Sequence, residues 1–205
     1  MRFAALALTA LTLVAAPAFA ADMPKPTLSL EGVPGGRYDI DPGHTNVVFS
    51  LNHLGFSNYI GRFNKIDGTL FFDSKDPTSS GVKISIDIAS IDTNNDVLEE
   101  KLTSKDWFNA KEFPTASFTS TKVEKLSDNK AKITGDLSLH GVTRPVVLDV
   151  TFNGTAVNPY AKAQAMGFSA TTTIKRSDFG ISAYVPAVGD EVKLIIETEF
   201  TQNKG

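Results

Sequence analysis

The 205-residue sequence contains no cysteine, which removes disulfides, thiolate nucleophiles, thiolate metal sites and any cysteine-linked lipid anchor. It has a single tryptophan and only three histidines, His44, His53 and His140, so any His-based catalysis or metal site must draw on these. No H-E-x-x-H zinc pattern, Gly-rich phosphate loop or G-x-S-x-G nucleophile elbow occurs. Blocks of one charge sign are missing too: 20 Lys and Arg are interspersed with 23 Asp and Glu, for a net charge of −3. Nucleic acid and anionic membrane surfaces select concentrated basic patches, so neither is an expected partner. The one long apolar run, Phe3 to Ala16, falls short of the ~20 residues that span a bilayer, so no stable membrane insertion is expected.

That run follows Met1-Arg2 and precedes Pro17-Ala-Phe-Ala20, with small residues where a signal peptidase cuts. Residues 1–20 therefore read as a signal peptide cleaved after Ala20. Residues 21–36, "ADMPKPTLSLEGVPGG", are Pro/Gly-rich without a sustained period and read as a flexible leader or loose strap. The remainder, 37–202, has the length of one domain with its own core.

Within it the dominant signal is alternation with period two. Val47, Phe49 and Leu51 share one parity, and His53 continues it. Val82, Ile84, Ile86 and Ile88 share another, followed by Ile133, Leu137 and Leu139, then Val146, Leu148, Val150 and Phe152. Met166, Phe168 and Ala170, and finally Val192, Leu194, Ile196 and Phe200, repeat it. In "GRFNKIDGTLFFD" the parity of Phe63 disagrees with that of Ile66, Leu70 and Phe72, which places a bulge near Asn64 or Lys65. About eight half-buried strands joined by short turns describe an all-β antiparallel sandwich or barrel. One stretch departs toward a short helical excursion: Asn94 to Phe108, with Asp96 and Glu99 as a capping pair and Trp107-Phe108 as an apolar plug that could lid one end.

Few residues suggest chemistry. His53 points to the apolar interior, where it either bonds a polar ligand head or is satisfied by backbone. His44 and His140 sit in turns. In "LHGVTRP", Gly141 and Pro145 suffice for a hairpin connection. Gly61 reads as a bend and Phe63 as core. Arg176 is close enough to Asp178 to pair, and Arg62 and Arg176 each either tie a loop to the barrel or neutralise an anionic headgroup.

The succession "YDIDPGHTNVVFSLNHLG", "GRFNKIDGTLFFD", "VKISIDIASIDTNNDVLEEKLTSKDWFNAKEFPTASFTS", "GDLSLHGVTRPVVLDV", "IKRSDFGI" and "VGDEVKLIIETEF" resembles the YceI-like family of exported bacterial proteins over Gly36 to Phe200. The G-x-W opening motif of true lipocalins is absent. The resemblance implies a periplasmic protein with a lipocalin-like antiparallel barrel, often dimeric, that holds a long polyisoprenoid chain such as a prenyl-quinone-like or prenyl-phosphate lipid. It implies no catalytic residue, cofactor or metal. The tail contacts it suggests are the interior residues Val47, Phe49, Leu51, His53, Ile84, Ile86, Leu137, Leu148, Phe168 and Ile196, with Arg176. The alternatives are an enzyme acting on such a lipid, with His53 and an acidic neighbour as acid and base, or a barrel filled by its own side chains.

Overall fold

A computed structural model describes residues 25–203; the signal peptide expected at 1–20 lies outside the described residues. The strands, in chain order, are β1 (Gly36–Ile40), β2 (Asn46–His53), β3 (Ser57–Phe63), β4 (Ile66–Phe72), β5 (Gly81–Asp87), β6 (Ile91–Asp92), β7 (Thr115–Lys125), β8 (Lys130–Leu139), β9 (Val142–Asn158), β10 (Ala163–Lys175) and β11 (Val188–Gln202). Among the described residues a single α-helix, α1 (Asp96–Thr103), lies between β6 and β7.

All strand pairs are antiparallel, and the order β1-β4-β5-β7-β8-β9-β10-β11 closes through a β1–β11 pairing into an eight-stranded barrel. The other three strands prolong three of the barrel's staves. β2 follows β1 along β11, β3 follows β4 along β2, and β6 follows β5 along β3. The breaks have local causes. Between β1 and β2, Asp41 caps the turn Pro42–His44 by accepting from the Gly43 N–H. Between β3 and β4 lies the expected bulge: the Asn64 N–H donates to Ser90 O and the Lys65 N–H to Ser90 Oγ. Between β5 and β6, Asp87 caps a short turn that contains Ile88, so the strand ends one residue before the alternation does.

The breaks position the helix. Past Asp87 and Thr115 the Ile88 N–H still donates to Pro114 O, but the strands β5 and β7 end, and among the described residues β6 has β3 as its only neighbour. α1 and the residues after it fill that seam, with Leu102, Trp107 and Ile88 buried there. The capping differs from expectation. Asn95 is the cap, accepting from the Leu98 N–H, while Glu99 reaches back to the N–H groups of Thr93 and Asn95. Asp96 already lies in the first turn, one position too far along to cap it.

The far end of the barrel is covered by residues 25–35. Thr27 and Thr155 exchange two backbone hydrogen bonds, Val33 is buried in the main core, and Tyr38 Oη donates to Pro34 O. Over 25–35 the segment is therefore a pinned strap, where its lack of periodicity suggested a flexible leader or loose strap over 21–36; residues 21–24 lie outside the described residues. Strap contacts join residues far apart in sequence and leave no periodic signature.

The knot at residues 140–145 is a hairpin turn. His140 and Gly141 connect the paired Leu139 and Val142, with φ of 51° and 75°, the twist that suits a two-residue hairpin. His140 also donates from Nδ1 to Phe179 O at 2.9 Å and packs edge-on against Phe113, so the turn docks the loop after β10.

His44 supplies a pH signature. A hydrogen bond from its Nδ1 to Asp41 Oδ2, at 2.9 Å, raises its pKa, aided by the charges of Asp41 and Glu199. Asp41 is pushed up by burial, but the bonds from His44 and the Gly43 N–H outweigh this and hold it below the usual carboxylate range. The His44 contribution is present below its unfolded pKa of about 6.5 and disappears as pH rises through the raised folded value; that of Asp41 is present above about pH 4 and is lost on acidification through its lowered value. Between pH 6 and 8 the protein should lose more urea stability than a His44→Gln variant does; parallel slopes would show that the pair contributes nothing.

Candidate ligand cavity

Inside the barrel are two abutting cavities. The upper, of about 440 Å³, lies under α1 and the β10–β11 loop. The lower, of about 150 Å³, lies in the closed half of the barrel. Val47, Ile86, Leu137 and Leu194 line both, so the two lie end to end with these side chains between them. All eleven residues singled out from sequence are on the cavity walls. Val47, Phe49, Leu51, His53, Ile86, Leu137 and Arg176 border the upper cavity; Ile84, Leu148, Phe168 and Ile196 border the lower. Strand alternation accounts for ten of the eleven, because residues of one parity must share a face once the sheet closes; Arg176 lies in the turn after β10 and reaches the wall from there.

The space stays open because glycine stands where a side chain would compete with an aromatic ring. Phe49 pairs across the strands with Gly61, and a Cβ built on Gly61 would lie 2.3 Å from Phe49 Cζ. Gly61 is thus a seat for Phe49 and not the bend expected from sequence. Adding even one methyl there pushes the ring toward the cavity. Phe63 is buried beside it, as expected, and borders the upper cavity.

The two ends differ in polarity. Among the described residues the only polar side chains in the lower cavity are the hydroxyls of Thr45, Thr172 and Thr198, and Thr45 is already bonded to Asp41 O and to Thr198. The upper cavity gathers His53, Tyr59, Lys101, Trp107, Arg176 and Tyr184. His53 packs near Tyr59, with ring centroids 6.2 Å apart. No Asp or Glu lines either cavity among the described residues, so His53 has no acidic neighbour there.

Arg176 is buried, and its guanidinium is largely occupied. Nε donates to Gly189 O, Nη1 to Ile181 O and Nη2 to Val188 O, each at 2.9 Å, and Cζ lies 5.6 Å from the centre of the Trp107 ring. Burial lowers its pKa, opposed by the charge of Asp190. The expected pairing with Asp178 does not form. Asp190 instead holds Ser177 through its N–H and its hydroxyl. Arg176 therefore ties the β10–β11 loop over the barrel end and still borders the cavity. Arg62, the other candidate, bonds Asp92 across β3 and β6 and lies on neither wall.

Residues 181–188 were not expected in the site. Ile181, Tyr184, Ala187 and Val188 border the upper cavity, as do Leu98, Lys101, Leu102, Trp107 and Phe108 around α1. Lys101 lies 4.8 Å over the Tyr184 ring, and Trp107 lies 6.0 Å from it. The available signal was Trp107-Phe108, whose apolar bulk at the end of a helix pointed to a plug; "ISAYVPA" carries no period that would have placed it.

With the cavity described, comparison with known proteins decides the family. Residues 38–200 match the YceI-like domain. The chain belongs to the YceI-like family. It is 40% identical over 168 residues to protein YceI of Shigella flexneri, covering 82% of this chain and 87% of that protein. Among solved structures, Burkholderia cenocepacia BcnA superposes with a TM-score of 0.71 at 25% identity, covering 78% of this chain and 98% of that one. A polyisoprenoid-binding domain from Saccharophagus degradans, implicated in plant cell wall breakdown, has a TM-score of 0.60 at 16% identity, covering 81% and 98%. The last likeness is one of fold. The YceI-like relatives are barrels of the kind described here.

Arg176 separates a structural from a purely ligand-facing role. Arg176→Leu strands three carbonyls at the barrel end and should destabilise the protein by about 3 kcal/mol, within the range for breaking a buried polar network. Arg176→Lys, with one ammonium against three acceptors set around a planar fork, should recover only part of that loss. Urea unfolding of both variants measures it, and a ligand-facing role alone predicts unchanged midpoints.

Proposed function

We propose that this protein is a periplasmic carrier that holds a long-chain polyisoprenoid lipid, prenyl-quinone-like or prenyl-phosphate, inside its barrel. The observation that carries this reading is the pair of abutting internal cavities, the lower walled by aliphatic and aromatic side chains with three threonines and the upper carrying the charged and ring-borne polar groups. Such a wall suits a hydrocarbon chain with one polar terminus. The polyisoprenoid-binding domain of the same fold supports the class of ligand. An export signal at residues 1–20 supports the compartment.

The polarity gradient gives the ligand a direction. Its tail occupies the lower cavity, against Ile133, Val150 and Phe168, and its head lies above, near Trp107, His53 and Arg176. Each methylene transferred from water contributes about 0.8 kcal/mol, less the cost of ordering a flexible chain. Selectivity among tails is then by length and not by sequence-specific contacts. The absence of a carboxylate beside His53 on the described walls supports binding over acid–base turnover of the same lipid.

Organic extraction of the protein purified from its exporting host, followed by mass spectrometry, should release a prenyl lipid in a ratio near one per chain. Leu137→Glu, which places a charge where both cavities meet, should abolish that content. An empty extract from the wild type, with no uptake of prenyl quinone offered in detergent, would sink the carrier reading.

A further inference from the structure

At the mouth of the upper cavity, and on the hairpin, helix and loop that supply its wall, folding leaves apolar side chains in solvent. Phe56, at the tip of the β2–β3 hairpin, is 89% exposed, and Val97, in the first turn of α1, is 78% exposed. Leu54 and Tyr184 are 51% and 60% exposed while also lining the cavity, so they stand at its opening. Val185 adjoins Tyr184, and the Leu54 N–H donates to Ala187 O, which joins the two loops into one rim. Exposed apolar residues occur at the other end as well, but they border no cavity. Exposed apolar residues gathered beside an opening mark interaction sites.

Two further observations bear on what the rim meets. Leu54 and Tyr184 have φ of 56° and 60°, left-handed backbone that a leucine or tyrosine enters only at a cost, and their exposed side chains recover little of it by burial. Lys101 lies over the Tyr184 ring with its ammonium 3.4 Å from the hydroxyl. A tyrosine and a lysine with an apolar body and a polar tip at one level are the side chains found at the headgroup layer of a bilayer. A net charge of −3, with Asp96 and Glu100 on the same helix, leaves electrostatic attraction to anionic lipid a minor part.

We propose that the rim formed by Leu54, Phe56, Val97, Tyr184 and Val185 docks the open end of the barrel into the interfacial layer of a phospholipid bilayer. A prenyl chain then passes between bilayer and cavity without crossing water. This inference rests on the carrier reading for its purpose, but docking is measurable without cargo.

The test is flotation with vesicles of neutral phosphatidylcholine, together with the rate of prenyl-quinone uptake from those vesicles and the amount taken up from detergent. The wild type should float. A Phe56→Ser/Val97→Ser variant, altered only at exposed residues outside the cavity wall, should bind vesicles at least tenfold more weakly and take up quinone from them correspondingly more slowly. Its uptake from detergent should be unchanged. Phe71→Ser, which removes an exposed aromatic at the far end, should behave as the wild type. A wild type that does not float, or a double variant that floats equally, overturns docking while detergent uptake still upholds the carrier. Flotation without any uptake does the reverse. A rim that instead holds two copies together, with the double variant monomeric and neither protein floating, assigns the surface to a second chain and also overturns the proposal.

Discussion

Tyr38 pairs with Gln202, Asp39 with Thr201 and Ile40 with Phe200, and these short contacts close the sheet on itself. Closure gives the lower barrel a full ring of backbone hydrogen bonds with no free edge. It also compels one parity of every stave to face inward. The interior is then a matter of side-chain volume: eight staves enclose enough room for a packed core or for one small ligand, and here glycine at 61 and the split between β5 and β7 leave room for a ligand.

The same closure exists only in the lower half. Above the breaks at Pro42–His44, Asn64-Lys65 and Ile88–Ser90 the upper strands splay, and the seam is filled by a helix and not by another strand. A helix is self-sufficient in backbone hydrogen bonds, so it can plug the gap without continuing the ladder. This makes the two ends unequal. The lower end is sealed by hydrogen-bonded strands and a strap; the upper end is closed by side chains of α1 and by a loop that Arg176 holds through three carbonyls. Packing of this kind opens locally at lower free energy than a closed ladder, which suits the end through which a ligand would pass.

Burial of Arg176 with carbonyl partners places a charge at an apolar wall without a paired carboxylate bonded to it. The three bonds offset its desolvation, and Trp107 adds a ring face. One side chain thereby serves the lid and colours the electrostatics of the upper cavity. Among the described residues the lower cavity is lined by no charged side chain, and the contrast between the halves gives the interior its polarity.

How much of this was legible in sequence follows from the range of each interaction. Strand alternation, the bulge at Asn64-Lys65, the hairpin at His140-Gly141 and the ten wall residues carried by strands are consequences of local periodicity and turn chemistry, which neighbouring residues decide. The assignments that failed involve partners far apart along the chain: Arg176 takes Gly189 and Val188 in place of Asp178, Gly61 seats Phe49 in place of bending the strand, and residues 25–35 are pinned by Thr155. The sequence by itself determined an antiparallel all-β sandwich or barrel and which face of each strand looks inward, because period two puts alternate residues on opposite faces, and the family resemblance pointed to the barrel. Only the tertiary structure decided that the interior is hollow, where it opens and which loop covers the opening, because those depend on how side-chain volumes and distant carbonyls meet in space.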